Sequence, residues 1–273
     1  MVVIIIFLDA NLHKPMYFLL ANLSIIEIFY TTSVTPNTLK NFLSKDRTIS
    51  FIGCFTQVFF FAALGSSECV LLSAMAYDRY IAICQPLLYS VHMNPICCFQ
   101  LVILSLTIGF LNSLIHTVSL AILPFCKDQI IQHFYCDFPQ ILKLACTNAE
   151  PHELVSILVG GSVITGSLFL TLVSYICILR AVFSIHSSHG KQKAFSTCGS
   201  HLMVVTLFFG SVILNYMLPG SMMYNVQKKV ISVMYAVMTP LINPMIYSFR
   251  NADFKKAINK KMVERKKVAF KQV

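Results

Sequence analysis

The chain has 273 residues, 56% of them hydrophobic and 12% charged, with a mean hydropathy of +0.72 and a formal net charge of +10. Apolar side chains exceed what one globular core could bury, which excludes an ordinary soluble domain and indicates an integral membrane protein. The positive balance suits anionic lipid and membrane topology, whereas a nucleic-acid partner would need a soluble basic face that the chain lacks.

A bilayer core about 30 Å thick needs roughly 20 apolar residues per helical crossing. The opening MVVIIIFL reaches only Leu8 before Asp9, and a helix of that length rises about 12 Å. It reads as the inner end of a helix whose first part is missing; a cleaved signal peptide would need a basic region before it and a small-residue cleavage site after it. Complete spans are expected near 15–42, 51–83, 96–123, 154–183, 194–218 and 230–249. The expected fold is therefore an all-α membrane protein of six complete spans plus a stub. Residues 1–249 form a single transmembrane domain, and residues 250–273 form a tail.

Two acids fall deep within these spans, Glu27 in the first complete one and Glu68 in the next. An unpaired carboxylate is expensive there, so both should face the interior, as a protonated hydrogen-bonded pair or around a cation. The second span ends in Asp78, Arg79 and Tyr80, with Ile81, Ala82 and Ile83 still ahead, so Arg79 sits at the membrane edge. An arginine cannot shed its charge; it either snorkels to the head groups or holds partners inside the bundle.

Four cysteines, Cys54, Cys126, Cys136 and Cys146, share one side of the expected topology. An even count on an oxidising side reads as two disulfides, and the sequence leaves three pairings open. His133, Cys136 and Asp137 offer an alternative set of soft and imidazole ligands for copper or zinc. The remaining cysteines lie within spans or at the other edge and should stay reduced. In the last span Pro244 follows Asn243, with Pro240 one turn earlier, which gives that helix a place to bend.

From Arg250 onward come Lys255, Lys256, Lys260, Lys261, Arg265, Lys266, Lys267 and Lys271, against only Asp253 and Glu264. This places the C-terminus in the cytosol, with His13, Lys14, the Arg79 edge and the 180–193 connection on the same side. Phe254, Ala257, Ile258 and Met262 recur at helical spacing with lysines on the other face, the pattern of a basic amphipathic helix along the inner leaflet.

The segments LHKPMYFLLANLS, GC at Gly53 and Cys54, MAYDRYIAICQPLLY, HFYCD with LAC, SY at Ser174 and Tyr175, KAFSTCGSH and PLINPMIYSFRN occur in that order. On these the chain resembles the olfactory receptors, which are rhodopsin-like G-protein-coupled receptors, from about Leu12 to Lys256. The resemblance implies a seven-helix bundle in the plasma membrane, with most of its first helix missing here. It implies odorant binding, coupling to a stimulatory heterotrimeric G protein through the cyclic AMP pathway, and no cofactor beyond a candidate sodium ion. The switch residues it implies are Asp78, Arg79, Tyr80, Tyr175, Asn243, Pro244 and Tyr247. The implied pairing is Cys54 with Cys136 and Cys126 with Cys146, and the implied sodium site is Glu27 with Glu68 near Asn243.

Mapping the family's cavity by spacing places Ala62, Gly65, Ser66, Val159, Gly160, Val163, Val212, Ile213, Tyr216 and Ala236 around the odorant. These are small and apolar, suited to a mostly hydrophobic molecule fixed by one or two hydrogen bonds. Such residues are also favoured where membrane helices simply touch. Phe61 stands where amine receptors carry an aspartate, which argues against an ammonium ligand. No lysine occupies the middle of the last span, which excludes a retinal Schiff base. Phe209 stands where the family usually has tyrosine, putting a polar contact near the pocket floor in doubt.

A bundle without most of one helix is expected to reach the surface poorly and signal weakly or not at all. A pseudogene product, a partial clone or a start-site error would give this pattern. The alternatives are another rhodopsin-like receptor for a small molecule, or a transporter, which would be expected to show related halves and broken helices; no repeat relates the first three spans to the last three. An enzyme is not expected, since no nucleophile with its base, zinc box or phosphate loop appears.

Overall fold

The computed structural model describes residues 2–45, 47–126, 129–185, 187–217, 230–250 and 254–260. A short helix, α1 (Val2–Leu8), leads through a 3₁₀ turn (Ala10–Leu12) into α2 (Pro15–Leu43). There follow α3 (Phe51–Cys84), the one-turn α4 (Tyr89–His92), α5 (Pro95–Ala121), the short α6 (Phe138–Leu142), α7 (Glu150–Ser184), α8 (Ser188–Val212) and α9 (Thr239–Arg250). Five helices, Pro15–Leu43, Phe51–Cys84, Pro95–Ala121, Glu150–Ser184 and Cys198–Tyr216, are long and apolar enough to cross a membrane. The last expected span appears as a shorter apolar helix, Val230–Asn243, that runs on into α9.

Local chemistry explains where these helices begin. Ser50 and Asn94 accept hydrogen bonds from the backbone N–H of Gly53 and Cys97, capping α3 and α5. Pro15 and Pro95 occupy first-turn positions, where a missing N–H costs nothing. α7 starts at Glu150, ahead of the apolar run at Leu154, because Pro151, Glu150 and Glu153 suit a helix N-terminus. α8 likewise gains a polar first turn under the Ser187 cap, earlier than the Ala194 start that hydropathy alone suggests.

α3 is the axis of the bundle and packs against α2, α5, α7 and α8. Its middle is closed to solvent from Leu71 to Ala76. α5 approaches so closely that a Cβ on Gly109 would meet Ser67 Oγ and the carbonyl of Ala63. Ser67, Ser105 and Ser113 are fully buried along the same seam, the small-residue packing expected where no hydrophobic drive separates helix from lipid.

Two π-helical turns, Ile213–Met217 and Met234–Met238, interrupt the last two spans. The irregularity of the final helix thus lies at 234–238, where the Thr239 hydroxyl donates to the Met234 carbonyl (3.0 Å). In segment 254–260, Phe254 and Ala257 are buried, Ile258 packs against the core, and Lys255, Lys256 and Lys260 face outward. Met262 and the later basic residues lie outside the described residues.

Candidate functional site

The described polar and aromatic groups form three levels along the bundle. The first is the end closed by the 124–149 connection. Disulfides join Cys54 to Cys136 and Cys126 to Cys146, and an antiparallel bridge pairs Phe125 with Ala145. Gln57 ties this connection to two helices: its amide N–H donates to the Ser33 carbonyl (2.9 Å) and its oxygen accepts from Cys136 N–H (2.8 Å). The Thr38 hydroxyl donates to the Phe134 carbonyl (3.2 Å). Cys136 is spent in a disulfide and Asp137 in capping, which removes both from the copper or zinc set proposed with His133.

Beneath this cover lies an aromatic cluster. Tyr30 stacks on Phe61 at 4.8 Å, Phe61 lies 4.9 Å from Tyr135, and Tyr235 meets Phe61, Tyr216 and Phe208 at 5.9, 5.8 and 6.0 Å. The π turns deliver Tyr216 and Tyr235 to it. Asp137 closes the cluster from above: one carboxylate oxygen accepts from Phe138 N–H (2.9 Å) and the other from the Tyr216 hydroxyl (3.1 Å). Burial pushes its carboxyl up to about 6, against the lowering effect of the two hydrogen bonds.

The ten expected lining residues differ in burial. Gly65, Val212 and Ala236 are buried, while Ala62, Ser66, Val159, Gly160, Val163, Ile213 and Tyr216 are half-buried. Gly65 lies under the Tyr235 hydroxyl, which a Cβ would meet at 2.8 Å. Ser66 already accepts from the Asn112 side chain (2.8 Å), and Gly160 faces His116, whose Nε2 would lie 3.0 Å from a Cβ there. Asn112, His116 and Asp137 are thus polar neighbours that the spacing argument missed. Asn112 and His116, one turn apart in a mostly apolar helix, carried the available signal. Phe209 is buried, so its missing hydroxyl leaves no open polar position.

The second level is the middle of the bundle. The Asn243 amide donates to Glu27 (2.8 Å) and to Glu68 (3.2 Å), and all three residues are buried. The second oxygens of both glutamates and the Asn243 carbonyl have no hydrogen-bond partner. Three oxygen acceptors around two neighbouring carboxylates fit a proton or a hard monovalent cation, since two charges in hydrocarbon cannot stand uncompensated. Among the described residues no cluster of three or more histidine, cysteine or acidic ligands is assembled for a metal ion.

At the third level Arg79, buried at 6% exposure, pairs with its neighbour Asp78 at 3.3 Å. The other Asp78 oxygen accepts from the Tyr89 hydroxyl (2.8 Å), on the turn that follows α3. Tyr80 is half-buried and its hydroxyl accepts from Gln85 (3.3 Å). Tyr175 is buried, and its hydroxyl is 2.7 Å from His201 Nδ1, the two rings lying 15° from parallel. His201, in KAFSTCGSH, was not anticipated, although a histidine inside a hydrophobic window marks itself. The side chains of Pro244 and Tyr247 lie outside the described set.

Comparison with known proteins points to one family. The family described as "Olfactory receptor" matches residues 1–265. Olfactory receptor 5AP2 of Mus musculus is 47% identical over 253 residues, covering 93% of this chain and 80% of that protein. Olfactory receptor 8I2 of Homo sapiens is 48% identical over 251 residues, covering 92% and 81%. Olfactory receptor 8H3 of Homo sapiens is 46% identical over 262 residues, covering 96% and 84%.

Proposed function

The chain belongs to the olfactory receptor family, and on that premise we propose that it binds small, mostly hydrophobic odorants within its helices and activates a stimulatory heterotrimeric G protein. It is a multi-pass membrane protein of a receptor family, not an enzyme. Residues 1–249 are the receptor domain, in the plasma membrane. Residues 250–273 are a basic cytosolic tail whose buried Phe254 and outward lysines suit the inner leaflet.

The observation that carries the reading is the buried Asp78–Arg79 pair at the end opposite the disulfides. A guanidinium paired, among the described residues, with its neighbour in sequence can exchange that partner for others without any helix having to release it. An agonist that binds the active arrangement better shifts the population toward it. Tyr175, Tyr247 and the Asn243–Pro244 segment are the groups that change contacts, and His201 holds Tyr175 in the arrangement described here. The odorant lies among Ala62, Gly65, Ser66, Val159, Gly160, Val163, Val212, Ile213, Tyr216 and Ala236, under the aromatic cluster. At the middle level Glu27 and Glu68, with Asn243 as the neutral ligand, would hold a sodium ion, whose charge would offset the two carboxylates.

The test is cyclic AMP production in cells expressing the full chain, screened with a panel of small alcohols, aldehydes and hydrocarbons. Arg79→Ala should abolish every odorant response while leaving surface display within about twofold. Uptake of a solute that survives Arg79→Ala would overturn the receptor reading in favour of transport.

A further inference from the structure

A groove of about 450 Å³ opens between the last two turns of α5 and the first turns of α7. It contains none of the expected odorant residues and faces away from the bundle: Leu114, Ile115, Val118 and Val155, which line it, are 50%, 44%, 51% and 37% exposed. Its only polar feature is a pair that bridges the two helices, Ser119 Oγ and His152 Nδ1 at 2.8 Å.

We propose that this groove is a sterol site, in which the Ser119–His152 pair holds the single hydroxyl and Leu114, Ile115, Val118 and Val155 cover the ring system. The inference rests on the membrane reading of the bundle. Three features select this ligand. The polar pair lies at the shallow end, near the start of α7, while the apolar residues continue deeper along both helices, so the groove has the polarity of an amphiphile standing in one leaflet. From Leu114 to Ile122 the wall rises about 12 Å, a trough for a rigid body. Glu150 and Glu153, both exposed in the first turn of α7, put carboxylates on either side of His152 and disfavour a phosphate head group.

The pair also has one donor to spare in either tautomer. If the serine hydroxyl donates to Nδ1, the imidazole keeps its Nε2–H. If Nδ1–H donates instead, the serine hydroxyl is free to donate. A neutral hydroxyl, which can accept that bond, satisfies the groove without bringing charge into it.

The full chain, reconstituted in phosphatidylcholine vesicles with a diazirine-bearing 3β-hydroxysterol, is irradiated and its adducts are mapped by peptide mass spectrometry. Adducts should concentrate within residues 114–122 and 151–155 and disappear with excess unlabelled 3β-hydroxysterol. Ser119→Ala or His152→Phe should lower them about fivefold, the effect of one hydrogen bond. On the unaltered chain, the 3α-hydroxy epimer should compete about fivefold less well. Equal competition by the epimer overturns the proposal, as does an even spread of adducts over the apolar helix faces. A diazirine-bearing phosphatidylcholine run in parallel separates the two readings: if it labels α5 and α7 while the sterol leaves the groove unlabelled, the site is wrong and the membrane reading stands. If neither probe labels these helices, both are wrong.

Discussion

The two ends of this bundle are held by different kinds of bond. At the disulfide end the ties cross between elements: two disulfides, the Gln57 link to Ser33 and Cys136, Thr38 to Phe134, and Tyr216 to Asp137. At the other end Arg79 is paired with the residue beside it, and Asp78 is tied only as far as Tyr89 on the next turn. Among the described residues, Tyr175 to His201 and the Cys84 thiol to the Cys177 carbonyl also tie long helices there, at 2.7 and 3.7 Å. Covalent and cross-element bonds fix relative helix positions; bonds within one segment leave the helices free to shift. A receptor that senses at one end and signals at the other needs this asymmetry.

The largest expected effect is at the fixed end. Cys136→Ser removes the tie between the connection and α3 and should destabilise the fold by about 2–5 kcal/mol, read as a fall in melting temperature and in surface display. A loss no greater than that of a surface substitution would break the comparison.

Asp137 tests the same end through pH. Its carboxyl, raised by burial to about 6, binds a proton more tightly folded than unfolded. Its contribution to stability is therefore complete below about pH 4 and is lost as pH rises through about 6, by about 3 kcal/mol at most. The melting temperature should decline between pH 5 and pH 7.5, and Asp137→Asn should flatten that decline. A profile unchanged by Asp137→Asn would refute the assignment.

The smallest effect on stability is expected at the Arg79 end. His201→Phe keeps a flat ring against Tyr175 and removes the hydrogen bond to its hydroxyl, a loss of about 1 kcal/mol. It should nevertheless change basal cyclic AMP at equal surface display. A stability loss as large as that of Cys136→Ser would show that the two ends are tied alike.

How much of this could be read from the sequence depended on the range of the signal. Arg79 and the two glutamates declared themselves because charge in an apolar span demands a partner, and Asn243 joins Glu27 and Glu68 across 216 and 175 residues of chain. The disulfide partners followed from the family resemblance, since spacing left three pairings open. The Tyr175–His201 bond, the Asp137–Tyr216 bond and the Ser119–His152 pair did not appear in advance. Each depends on how a helix is rotated about its own axis. The π turns at 213–217 and 234–238 set that rotation for Tyr216 and Tyr235, and a hydropathy pattern does not reveal a single inserted residue. Helices also begin earlier than the apolar runs within them, because the cap at Ser187 and the acidic first turn of α7 extend them into polar sequence.

The most direct test of the asymmetry is hydrogen–deuterium exchange of the reconstituted chain with and without a nucleotide-free stimulatory G protein. Exchange should change at the Arg79 end of α3, residues 78–84, and in α8 up to His201, while residues 129–149 of the disulfide-bonded connection stay within error. Unchanged exchange at the Arg79 end, or a change confined to the connection, would contradict the account.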